Sequence, residues 1–113
     1  MAVVKGKVTI KPNGSVTVFW EGLTGADTAS PVDISHWPDR TVGVMGTFGG
    51  TTITIQGSMN DSDYATLKDN AGAALSFTTA GIRFIVENPF YIKPVVTGGT
   101  GVDIDVIISA KGS

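Results

Sequence analysis

The 113-residue chain has no cysteine, a single histidine and charged residues at only 16% of its positions. Each scarcity removes a class of chemistry. Without thiols there are no disulfides and no thiolate metal ligands, so stability has to come from burial and sheet pairing. Soluble domains usually carry roughly a quarter charged residues. The exterior here must therefore be covered largely by Thr, Ser, Gly and apolar groups, a surface of the kind that neighbouring copies protect. Lys5, Lys7, Lys11, Arg40, Lys68, Arg83, Lys93 and Lys111 are spread singly over a chain of net charge −2. Without a basic patch, phosphate neutralisation is not expected and nucleic acid is not an expected partner. No run approaches the roughly 18 apolar residues of a membrane span. The opening MAVVKGKVTI lacks the apolar centre of a signal peptide. The simple expectation is synthesis in a cytoplasm, with no membrane partner.

What the chain does have is alternation. Thr51 to Leu67 begins as a strand, with Ile53, Ile55 and Gly57 on one parity and Thr52, Thr54 and Gln56 on the other, and it ends in the turn formers Gly57, Ser58, Asn60, Asp61, Ser62 and Asp63. The same grammar recurs along the chain. Val3 to Ile10 alternates only partially and reads as an edge strand or terminal arm. Pro12, Asn13 and Gly14 turn it into a returning strand whose Val16, Val18 and Trp20 share a face, with Phe19 on the outer side. Thr41 to Phe48 follows later, with Val42 and Val44 core-facing beside Ile53 and Ile55. Gly49-Gly50 is a two-residue hairpin signal between the two runs. Leu75 and Phe77 share a face, and Phe84 and Val86 alternate against Arg83, Ile85 and Glu87. Pro94 interrupts Phe90 to Thr97, which predicts an edge position or a bulge. Val102, Ile104, Val106 and Ile108 face one way, opposite Asp103, Asp105 and Ile107.

The acidic and aromatic candidates read more simply as structure than as chemistry. Asp61, Asp63 and Asp69 lack the spacing of a helix-loop-helix calcium site, and Asx-type turn capping accounts for them. Asp103 and Asp105 read as a solvated outer face. The irregular stretch 22–40 contains one short alternation at Val32 to Ser35 and the run His36, Trp37, Pro38, Asp39, Arg40. A lone His beside Trp, Asp and Arg is open to a binding or pH-sensitive role, but no nucleophile and orienting group are legible with it. No enzymatic activity, cofactor or metal is expected.

One domain follows from the length. Eight or nine short strands predict an all-β, antiparallel, jelly-roll-like β-sandwich over residues 1–113, with a possible N-terminal arm (1–10) and a long loop (22–40). Val42 to Gly112 resembles small β-sandwich virion proteins of tailed bacteriophages, the class of capsid cement and decoration proteins. The resemblance rests on ITIQGSMNDSDYATL, on LSFTTAGIRFIVENPFYIKPVVTGG with its Glu87-Asn88-Pro89 corner, and on VDIDVIISAKG. It implies a virion structural protein on the capsid surface, bridging the major capsid protein or other virion proteins as a homotrimer. The alternative from another class is a carbohydrate-binding sandwich, of a phage tail or fibre for example, in which Trp20, Trp37 or Tyr64 stacks on sugar. The residues expected to meet a partner are Val3, Val4, Lys5, Lys7, Phe19, His36, Trp37 and Arg40.

The face assignment is tested by truncation. Ile55→Ala and Ile104→Ala are each expected to destabilise by roughly 2 to 5 kcal/mol as buried truncations, and His36→Ala to leave folding nearly intact. Equal, small effects in denaturant titrations of all three would mean that the wrong parity was taken as buried.

Overall fold

A strand with one greasy face is stable only against a second greasy face, and this chain supplies two sheets. The computed structural model describes residues 3–12, 14–25, 27–34, 37, 39–87 and 89–111. Among them lie the strands β1 (Val3–Val4), β2 (Lys7–Ile10), β3 (Val16–Leu23), β4 (Thr28–Ala29), β5 (Val32–Asp33), β6 (Asp39–Thr47), β7 (Thr52–Ser58), β8 (Ala65–Thr66), β9 (Ser76–Phe77), β10 (Gly81–Ile85), β11 (Tyr91–Thr97) and β12 (Asp103–Lys111). The fold is the antiparallel β-sandwich the alternation predicts. The strand number exceeds the expected eight or nine because β1, β4, β5, β8 and β9 are two residues long, too short to show a period.

One sheet runs β10-β6-β12-β3-β2 and the other β5-β11-β7-β8, with β9 also on β7; β1 and β4 form a small parallel pair. Between the sheets lie Val16, Val18, Trp20, Val42, Val44, Val106 and Ile108 from the first and Ile53, Ile55, Leu75, Phe77 and Ile92 from the second, all buried. Full burial of each such side chain contributes about 1.5–3 kcal/mol. β12 is the central strand of the first sheet, in unbroken register with β6 from Asp103↔Thr47 to Lys111↔Asp39.

The pairing of β6 and β7 departs from the sequence expectation. Gly49 and Gly50 do turn the chain, at φ 58° and 85°, but β6 and β7 lie in opposite sheets and do not pair. The turn is an arch, not a hairpin. Val42, Val44, Ile53 and Ile55 are nonetheless all core-facing, because an arch and a hairpin place the same parity inside. Gly49 is required there by close approach: a Cβ would sit 2.0 Å from the Thr100 carbonyl oxygen, and the Thr100 N–H donates to Gly49 O at 2.8 Å. This arch thus stacks on the β11–β12 connection. From β6 onward the longer strands β6, β7, β10, β11 and β12 alternate between the sheets, the jelly-roll-like feature of the topology.

Pro94 sits within β11, opposite Ile55. Ile55 turns its N–H to Leu75 O and its carbonyl to the Leu67 N–H. The Pro94–Ile55 pair is therefore non-hydrogen-bonded, and the Pro94 nitrogen faces the outer edge, where no donor is needed. Asp103 is exposed as expected. Asp105, read as solvated, is half-buried because Glu21 and Gly22 together oppose it in a bulge and its Oδ1 accepts the Gly22 N–H at 2.9 Å.

The turn at 58–64 and the excursion at 68–74 are capped by side chains. Asn60 Oδ1 accepts from the N–H groups of Ser62 (3.0 Å) and Asp63 (2.9 Å), the Asx pattern expected from the sequence. Asp69 Oδ1 accepts from the N–H groups of Ala71 and Ala73, both at 2.9 Å. Its Oδ2 takes Arg83 Nη2 at 2.6 Å and Nε at 3.1 Å. Arg83 also donates to the carbonyls of Ala74 (2.9 Å) and Ser76 (3.2 Å) and lies 5.3 Å from the Phe77 ring centre. Because Arg83 belongs to β10, this clasp ties the edge of the first sheet to the excursion from the second.

The hydrogen bonds from Arg83, and after them that from Ala73, hold the Asp69 carboxyl below its ordinary value of 3.8. A depressed carboxylate pKa contributes stability that is present above 3.8 and is lost as pH falls through the lower folded-state value. Urea midpoints of wild type and Asp69→Asn should therefore differ at neutral pH and converge as pH drops below 3.8. A constant gap across that range would show that ionisation of Asp69 contributes nothing.

Candidate functional site

The two outer faces of the sandwich are unlike. On the second sheet the outward residues of β7 and β11 include Thr52, Thr54, Gln56, Tyr91, Lys93 and Val95, all half-buried. On the first sheet the registers assemble two rows across five strands. One reads Phe84, Thr41, Ser109, Thr17, Thr9; the next reads Ile82, Gly43, Ile107, Phe19, Lys7. Ile82 is 74% exposed, Met45 41% and Phe84 37%, with Phe19 and Ile107 half-buried beside them. Thr41, Gly43, Met45, Ile82, Ile107 and Ser109 line a shallow, almost wholly apolar hollow of about 250 Å³. The hollow exists because residue 43 has no side chain. A Cβ there would stand at ordinary contact distances, 3.7 Å from Ile82 Cγ1 and 3.8 Å from Met45 Cε. This face is the candidate functional site.

Its charges sit at the two ends. Asp39 and Lys111 are paired across β6 and β12, and Lys11 continues the same end just past β2, its N–H donating to Ser15 O at 2.8 Å. At the other end lie Met45, Asp105, Asp103 and Glu21. Among the described residues no group of three or more His, Cys, Asp or Glu side chains could hold a metal ion.

The residues expected to meet a partner are distributed over several places. Lys7 and Phe19 are neighbours on the apolar face. Val3, 65% exposed, and half-buried Val4 pair with Thr28 and Ala29, and Lys5 is exposed just beyond them. The supposed arm is thus two strand segments joined at Gly6, which crosses so close over Trp20, Val18 and Val32 that a Cβ would lie 2.9 Å from each. His36 lies outside the described residues. Trp37 is half-buried against the core and donates from Nε1 to Gly14 O at 2.8 Å.

Arg40 requires a correction. It is fully buried and cannot contact a partner. Its guanidinium donates from Nε to Trp37 O (2.8 Å), from Nη2 to Ile34 O (2.8 Å) and from Nη1 to Pro89 O (3.3 Å). Burial lowers its pKa and the charge of Asp33 offsets this in part. The alternation did signal it, since Arg40 shares the parity of Val42 and Val44, but a charged residue at that parity reads as a strand end. The face itself was only partly legible. Phe19 and Ile107 stand out as apolar residues on outer parities, whereas Ile82 and Phe84 lie in the run IRFIV, apolar on both parities, where Ile85 alone is buried.

Of the aromatic residues offered for sugar stacking, Trp20 is fully buried with its Nε1 donating to Ser30 O at 3.0 Å. Tyr64 has Lys93 Nζ 4.2 Å from its ring centre, and its hydroxyl donates to Asp61.

No protein-family model and no curated protein matches the chain. Among solved structures, the SPBc2 prophage-derived protein YomS superposes with a TM-score of 0.62 at 14% identity, over 92% of this chain and 98% of that one. The K1 cleaved adhesin domain of Lys-gingipain from Porphyromonas gingivalis W83 gives a TM-score of 0.42 at 12% identity, over 97% of this chain and 85% of that one, too distant to carry an argument. The chain therefore shares its architecture with a prophage-derived protein.

Removing the Arg40 side chain takes a buried donor from three carbonyls, of which that of Ile34 still accepts the Trp37 N–H at 3.0 Å. Arg40→Ala is expected to cost about 3 kcal/mol or more, and Arg40→Lys to recover only part of it because an ammonium lacks the planar fork. Ile82→Ser on the exposed face is expected to shift stability by at most about 0.5 kcal/mol. Equilibrium denaturation of the three variants checks the contrast, and a mild Arg40→Ala would show that water replaces the guanidinium at little cost.

Proposed function

We propose that this chain is a structural subunit of a tailed-bacteriophage particle, a cement or decoration protein that joins coat proteins on the head surface. The observation that carries the reading is the uncovered apolar face of Phe19, Met45, Ile82, Phe84 and Ile107 on an otherwise rigid sandwich. Exposed apolar patches rimmed by polar groups mark protein contacts. The shared architecture with a prophage-derived protein supports the setting.

Bridging needs two surfaces, one for the coat and one for neighbouring copies. Besides the apolar face, the other available surface is the N-terminal margin, where Val3, Val8 and Ile10 are 65%, 48% and 63% exposed among Lys5, Lys7 and Lys11. Val8 and Ile10 have the parity of buried Val18 and Val16, yet they overhang the sheet edge. In this reading the partners are the major capsid protein or other virion proteins together with further copies of the chain. The work is done by buried area and not by a reaction.

Particles from a host that carries this sequence provide the test. After density-gradient separation the chain is expected in the fraction of assembled heads, with antibody label on their surface. Finding it only among unassembled soluble proteins would overturn the proposal.

A further inference from the structure

The outer face of the first sheet is matched to itself. One end carries Lys111 and Lys11 beside a single acid, Asp39, the other carries three acids, Asp105, Asp103 and Glu21, and the two rows between them hold only Lys7 as a charge. A two-fold axis lying in the plane of the face and crossing the strands between those rows would lay a second copy over the first with every strand reversed. Ile82 then meets Phe84 of the other copy, Ile107 meets Ser109 and Phe19 meets Thr17. The acidic end of each copy covers the basic end of the other. Ile82 and Phe84 of the two copies then form one apolar cluster across the axis, beside the facing recesses at Gly43, and sandwich sheets stack readily within about 30° of alignment.

We propose that this face pairs two copies of the chain through an isologous, charge-complementary contact. The inference deepens the preceding reading by naming the partner of this face. It also replaces the expected trimer, whose heterologous contacts would join two different surfaces of each copy. With strands about 4.8 Å apart and the outward rows about 6.8 Å apart, the face covers roughly 500 Å² per copy. A pair then buries about 1,000 Å², at the lower bound of specific interfaces, so association is concentration-dependent.

Charge reversal at exposed positions tests the orientation. The variant Lys11→Glu/Lys111→Glu has two acidic ends, and Glu21→Lys/Asp103→Lys has two basic ends. All four positions are exposed, so unchanged circular dichroism is expected for both variants. In sedimentation equilibrium, wild type is expected to rise with concentration from the 11.7 kDa of one chain to twice that mass. Each variant alone should pair at least tenfold more weakly, because like charges now face one another, and an equimolar mixture should restore the pair. A wild type that stays monomeric or forms trimers would overturn the proposal. So would variants that pair alone as well as wild type, or a mixture that fails to recover. These measurements use purified protein without coat, so their failure leaves the particle assignment to be judged on the gradient experiment.

Discussion

One buried guanidinium fixes an end of the sandwich. Arg40, the second residue of β6, reaches three carbonyls outside the strand ladders, those of Ile34, Trp37 and Pro89. The first two belong to the irregular stretch before β6 and the third to the corner before β11, so segments far apart in sequence converge on one planar donor. A buried carbonyl without a partner costs as much as a lost hydrogen bond. A fixed fork of donors is the side chain best suited to several such carbonyls at once. The desolvation of that charge is the cost of keeping the loop and the corner in place. The registers of β6 with β10 and β12, and hence the rows of the outer face, start from this anchor.

The opposite corner is held differently. Arg83 and Asp69 are partly exposed, and their contact is strengthened by the carbonyls and N–H groups around it more than by burial. It steadies β10, an edge strand whose sheet neighbour is β6 and which carries the most exposed part of the apolar face. Two arginines of one sequence class thus have unlike duties, one inside among carbonyls and the other outside across the sheet edges.

The sequence exposes the periodic part of this fold and conceals the part that depends on pairing. Every residue of the Val16–Val18–Trp20 and Ile104–Val106–Ile108 sets is buried as its parity requires, because a period of two is local information. Which strand pairs with which is not local. Gly49-Gly50 specifies a reversal, and the same two positive dihedrals serve a hairpin within one sheet or an arch between two. The β6–β7 pairing was therefore misread while the faces were right. The apolar face was half visible for the same reason: Phe19 and Ile107 break a clean alternation, but nothing in the order of residues reveals that Ile82, Gly43, Ile107 and Phe19 form one line across four strands. Arg40 was misplaced because burial of an arginine is decided by carbonyls distant in the chain.

The position of β12 has a consequence for synthesis. The central strand of the first sheet is the last of the twelve described strands to leave the ribosome, and β3 and β6 share no neighbour until residues 103–111 have emerged. Because successive long strands also alternate between sheets, few hairpins are available to form early, and most contacts join segments distant in sequence. The nascent chain must keep its greasy strands apart until β12 has emerged. Its scattered glycines, which weaken premature strand pairing, suit a domain that folds all at once when its last strand is available.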